Sequence, residues 1–139
     1  MNDSDVKLVQ TSFEKLMPIA EQVGPLFYAE LFATHPELRP MFAADIAPQA
    51  AKLTQMLALV VKSLDKFPTI LPAVQSLGRR HRDYGVAEEH YAMVGTALIA
   101  TLQRGLGEAF TPEVKRAWLA AYTVLAGTMM AAARTQVAA

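Results

Sequence analysis

The sequence predicts an all-α domain of crossed helices, and three observations carry that prediction. Apolar residues recur at spacings of three and four along most of the chain. No stretch alternates with a period of two over β-branched residues. Prolines and glycines fall between the apolar stripes, at connections of unequal length, which suits crossed helices better than an up-and-down bundle. At 139 residues the chain is long enough for one domain, expected over 1–139, with one sizeable core.

The first stripe is Val6, Val9, Phe13 and Leu16, with Asp3 or Ser4 as cap and Pro18 as break. Val23, Phe27 and Leu31 make the second, which ends in the turn THPEL, and a short helical turn is expected through Met41. AADIAP reads as a loop, and Pro48 suits the first position of a third helix, because its missing N–H is an orphan there. That helix carries Leu53, Met56, Leu57, Val60, Val61 and Leu64 and stops near Pro68. A shorter helix is expected after Pro72, with Val74, Leu77 and His81 on one side and Gly85 closing it. Glu88 and Glu89 favour the positive end of the next helix dipole, and that helix runs through Val94, Leu98 and Leu102 to the breaker GLG. Thr111, Pro112 and Glu113 open the last helix, whose stripe is Val114, Trp118, Leu125 and Met129. Six substantial helices and one short turn result.

Composition narrows the functional classes. Thirteen basic residues balance thirteen acidic ones, so no basic field exists for a phosphate backbone and nucleic acid is not expected as a partner. The absence of cysteine excludes disulfides, thiolate metal sites and cysteine nucleophiles. The start, MNDSDVK, lacks the apolar core of a secretion signal, which points to the cytoplasm. Between Arg116 and Arg134 lie 17 uncharged residues, but the run is Ala-rich and broken by Thr123, Gly127 and Thr128. A span needs about 20 strongly apolar residues, so a buried helix is expected and no membrane span.

Of three histidines, His35 sits in a polar turn and His90 beside two glutamates, both suited to the surface. His81 differs, because it continues the series Ile70, Val74, Leu77 at spacings of four, three and four. Two readings stay open for it. It is a core histidine satisfied by the Leu77 carbonyl one turn back, or a metal ligand whose second nitrogen is oriented by that same carbonyl. Arg79, Arg80 and Arg82 add forked donors for carboxylates, which an ordinary solvated face would equally explain.

LFYAELF at 26–32, HPELRPMF at 35–42, PQAAKLTQML at 48–57, GRRHRDYGV at 78–86 and HYAMVG at 90–95 occur in order. Together they resemble the bacterial globins of the flavohaemoglobin lineage, specifically the single-domain members. The resemblance covers nearly the whole chain and implies a globin fold around haem b, with no reductase domain after Ala139. It implies His81 as the metal ligand, Phe42 against the porphyrin face and Leu53 over the iron. It also implies a distal polar pair, Tyr28 and Gln49, and a proximal tyrosine, Tyr91. Leu77, Arg80 and Val94 complete the implied cofactor contacts. Small Gly24 and Ala50 would let the helices carrying Tyr28 and Gln49 cross closely.

The implied function is tight binding of oxygen, and of nitric oxide, carbon monoxide or sulfide, at a pentacoordinate iron. No distal histidine is available for a bis-histidine state. The alternative is a nitric oxide dioxygenase reduced in trans by a separate reductase. A monomer or weak homodimer is expected. One departure from the lineage matters: the longer relatives carry a glutamate on the final helix that bonds the proximal histidine, and the region around Ala133 here holds alanines. Without an anionic partner, reversible binding is favoured over oxygen–oxygen cleavage.

Overall fold

Six helices and four short 3₁₀ segments make up the computed structural model, which describes residues 1–134. The last five positions of the expected domain lie outside the described residues. The helices are α1 (Asp3–Glu14), α2 (Ala20–Thr34), α3 (Ala47–Lys62), α4 (Phe67–Asp83), α5 (Glu88–Leu106) and α6 (Pro112–Arg134), with no strand among the described residues. The expected short turn is the 3₁₀ segment Pro36–Met41.

Local chemistry explains the ends. Asn2, not Asp3 or Ser4, caps α1: its side-chain oxygen accepts from the Asp5 N–H at 2.8 Å, and the Asp5 carboxylate accepts from the Asn2 N–H at 3.3 Å. Thr111 caps α6 as expected, its hydroxyl oxygen accepting from the Val114 N–H at 3.2 Å. The fourth helix departs from expectation by starting at Phe67 rather than after Pro72. Pro68 takes the first turn, where a missing N–H costs nothing, and Pro72 forfeits only one early helical bond. Leu64 leaves the third helix for the 3₁₀ turn Leu64–Lys66 yet stays buried. Gly85 ends α4 with φ +89°, a conformation that would strain any side chain.

The core runs between α1, α2, α3, α5 and α6. Val9, Leu16, Leu31 and Leu102 are fully enclosed, each burial contributing about 1.5–3 kcal/mol. Trp118 packs against Phe13, with centroids 6.2 Å apart, and its indole N–H donates to the buried Ser12 hydroxyl at 2.8 Å.

Two pairings position the site. The third helix packs on α2, whereas α4 packs on α6, so α3 and α4 are consecutive in the chain but do not pack closely on each other. Leu53 and Met56 on α3, Leu77 on α4, and Met93 and Val94 on α5 all stay half-buried. The protein leaves these apolar side chains incompletely covered.

Candidate functional site

The crossing of α2 over α3 is backbone-close. A Cβ on Gly24 would lie 2.3 Å from the Ala50 carbonyl oxygen, a contact only glycine permits. One turn on from Gly24 stands Tyr28, and immediately before Ala50 stands Gln49, so the crossing brings the two together. Tyr28 is 5% exposed, whereas Gln49 lies in the exposed first turn of α3. Burial pushes the Tyr28 phenol above its ordinary range, and a hydrogen bond with the Gln49 side chain offsets part of that rise. The hydroxyl is therefore a protonated donor throughout the physiological range.

Aromatic rings frame this donor. Phe42 meets Tyr28 edge-on with centroids 5.4 Å apart and Phe32 at the same distance, and Phe32 lies 5.8 Å from Tyr28. Over the outer side of Phe32 sits the Arg39 guanidinium, 5.1 Å from the ring centre. Neither Phe32 nor Arg39 had been singled out from the sequence, although both lie in the quoted segments. A ring triad closed by a loop leaves no periodic signal.

On the other side, His81 is half-buried near the end of α4 and its Nδ1 is 2.8 Å from the Leu77 carbonyl oxygen, so Nδ1–H donates. That bond leaves Nε2 as the nitrogen with a lone pair, and no described residue engages it. Burial, more than the nearby Arg80 charge, lowers the pKa of His81 below the usual imidazole value, against the opposing pull of the Leu77 carbonyl. A neutral imidazole with a fixed tautomer is what a metal ligand requires. Close packing holds α4 there: a Cβ on Gly78 would sit 2.3 Å from the Met129 carbonyl oxygen of α6.

The arginines divide. Arg79 and Arg80 are exposed, as the sequence suggested, but Arg82 turns toward α6, donates to the Ala133 carbonyl at 3.0 Å and pairs with Asp83 at 3.3 Å. It is a helix tie rather than an outward fork. Tyr91 is half-buried on α5 and borders a groove of about 260 Å³ with Arg82, Met130 and Ala133, while its carbonyl accepts from the Tyr122 hydroxyl at 2.6 Å. Its phenol is brought into no described contact with His81. His35 pairs with Glu37 at 3.2 Å, and His90 Nδ1 accepts from the Ala87 N–H at 2.9 Å, so both are engaged locally. Leu53 and Val94 pack at the margin of the core.

The globin family model matches residues 26–129. The chain is a globin. This globin is 29% identical over 129 residues to the flavohemoprotein of Bacillus subtilis, covering 91% of this chain and 32% of that protein. It therefore spans about a third of the length of the flavohemoproteins it matches. It is 27% identical over 143 residues to the neuroglobin of Dissostichus mawsoni, covering 93% and 90% of the two chains. Among solved structures it superposes on an engineered carbene transferase from Rhodothermus marinus, provisionally described as a nitric oxide dioxygenase. That match has TM-score 0.87 and 25% identity, covering 96% and 94%.

Haem b is the cofactor of this globin. The donor set fits it: the macrocycle supplies four nitrogens of its own, so one neutral imidazole suffices, and His81 offers one. No cluster of three or more His, Asp or Glu side chains that could hold a bare ion gathers among the described residues. No described helix is long and apolar enough to cross a membrane.

Proposed function

We propose that this globin binds oxygen and other diatomic ligands tightly, with His81 as the axial ligand and Tyr28 and Gln49 as the distal donors. Haem b, when bound, supplies a ferrous centre that takes up oxygen, nitric oxide or carbon monoxide. The single observation that carries the reading is the Tyr28–Gln49 pair, drawn together where Gly24 crosses Ala50.

Each residue has a defined task in this reading. His81 Nε2 holds the group from one side, and the bond from Nδ1–H to the Leu77 carbonyl fixes the ring plane. Phe42, Leu53, Leu77 and Val94 give the apolar slot that excludes water, and Arg80 remains free for the acid edge of the cofactor. Tyr28 donates to a ligand that carries partial negative charge, and Gln49 steadies that hydroxyl or donates alongside it. A hydrogen bond to a charged group is worth about 1.5–3 kcal/mol, enough to slow ligand loss by roughly ten- to a hundredfold. Such retention suits sensing, scavenging or oxidation better than oxygen release. The carbonyl partner of His81 is neutral, which leaves the imidazole a moderate donor and favours reversible binding over oxygen–oxygen cleavage. We place the protein in the cytoplasm as a monomer or weak homodimer.

The test is the oxygen dissociation rate of wild type, Tyr28→Phe and Gln49→Leu. Acceleration of about tenfold or more in Tyr28→Phe supports the reading. Unchanged rates in both variants contradict it.

The similarity to the Rhodothermus marinus protein provisionally described as a nitric oxide dioxygenase supports a second reading, nitric oxide dioxygenation. A haem b held by His81 would supply the one electron needed for nitric oxide and oxygen to give nitrate, so repeated turnover would need a separate reductase. Sustained nitric oxide consumption in the presence of a reductant system distinguishes this activity from a single turnover.

A further inference from the structure

Between Met41 and Ala47 the chain is neither helix nor strand, so the carbonyls there need partners from elsewhere. No described backbone N–H donates to those of Phe42, Ala43 and Ala44. One side chain serves all three. Arg39 Nη1 donates to Phe42 at 3.3 Å and to Ala43 at 2.9 Å, and Nη2 donates to Ala44 at 2.7 Å. In return the Phe42 N–H donates to the Arg39 carbonyl at 3.1 Å, closing the link at residue 42.

The same guanidinium lies over Phe32, and Phe32 and Phe42 are two of the three rings packed against Tyr28, the third being its chain neighbour Phe27 at 4.9 Å. The loop it clamps leads directly into the first turn of α3, where Gln49 stands. Arg39 thus touches the backbone of Phe42, the face of Phe32, and the approach to the second polar residue. It makes no described contact with Tyr28 itself.

We propose that Arg39 is a positioning residue for the distal pocket: by clamping carbonyls 42–44 and stacking on Phe32 it holds Phe42 against Tyr28, and so sets the place of the Tyr28 hydroxyl. This inference rests on the reading of Tyr28 as a distal donor. The geometry needs arginine specifically. A planar fork reaches several carbonyls while its face covers a ring, whereas a lysine ammonium is a point charge without a plane.

The experiment uses the haem-loaded protein as wild type, Arg39→Met, Arg39→Lys, Tyr28→Phe and the double variant Tyr28→Phe/Arg39→Met. It reads the oxygen dissociation rate and the infrared stretch of bound carbon monoxide, which reports the polar field at the ligand. Arg39→Met is expected to release oxygen about three- to tenfold faster, with a shifted or broadened carbon monoxide band. Arg39→Lys, which keeps the charge and is the milder change, moves both readouts the same way. On the Tyr28→Phe background the Arg39 change adds less than about twofold, because the two act through one group. Wild-type rates and bands in both Arg39 variants, with only a lowered thermal midpoint, would reduce Arg39 to a loop brace and overturn the proposal. Full additivity in the double variant overturns it as well. An unchanged rate in Tyr28→Phe brings down the distal-donor reading first, and this inference with it.

Discussion

Gly24 and Ala50 meet backbone to backbone: the Cβ that Gly24 lacks would stand 2.3 Å from the Ala50 carbonyl oxygen. No side chain separates α2 from α3 at that point, which is what lets a residue one turn along α2 reach one at the start of α3. The Tyr28–Gln49 pair is a consequence of this crossing.

Gly24→Ala is therefore expected to destabilise the protein and loosen the pocket together. Alanine returns about 1 kcal/mol of helix propensity, but overpacking against rigid backbone costs about 3 kcal/mol or more, for a net loss of about 2 kcal/mol. Chemical denaturation reads the loss, and oxygen dissociation should accelerate as Tyr28 and Gln49 draw apart. An equally stable variant with wild-type release would show that the helices separate freely.

The pH dependence of ligand release follows from the Tyr28 shift. Burial raises its pKa above the ordinary phenol value of about 10, so the donating, neutral form persists below that pH. Oxygen dissociation is expected to be flat from about pH 6 to pH 9.5 and to rise only above, as the donor is lost. Measured rates that climb between pH 7 and 9 would identify a different group as the donor.

Ser12→Ala leaves the buried Trp118 indole N–H without its acceptor. The expected cost is about 1–3 kcal/mol of unfolding free energy, read by thermal or urea denaturation, with the haem spectrum unchanged. Trp118→Phe in the Ser12→Ala background should recover part of the polar penalty, because the orphaned donor is gone.

Features specified by neighbours in the chain were legible in the sequence. Thr111, Pro112 and Glu113 act within one turn, so the start of α6 could be read directly. The inward face of His81 followed from its spacing to Ile70, Val74 and Leu77, and its bond to the Leu77 carbonyl is a one-turn contact. The cap of α1 was missed because Asn2, Asp3 and Ser4 are chemically similar caps, and only the reciprocal bond with Asp5 selects among them. Pro72 misled because a proline near a helix start loses a single bond, which the packing of α4 on α6 overrides. Arg82 and Arg39 bond to carbonyls that only the folded chain presents, Ala133 being 51 residues away from Arg82. Neither bond, one to a distant helix and the other to an irregular loop, follows a periodic pattern, so no spacing rule could have found them.

In the proposed reading His81 alone anchors the haem. Haemin titration of the apoprotein, followed at the Soret band, tests it most directly in wild type, His81→Ala, and His81→Ala with added imidazole. Wild type is expected to take up haemin tightly and the variant weakly, with binding and the ligand spectrum restored when free imidazole fills the vacated position. A His81→Ala protein that takes up haemin as tightly as wild type, with the same spectrum, would contradict it.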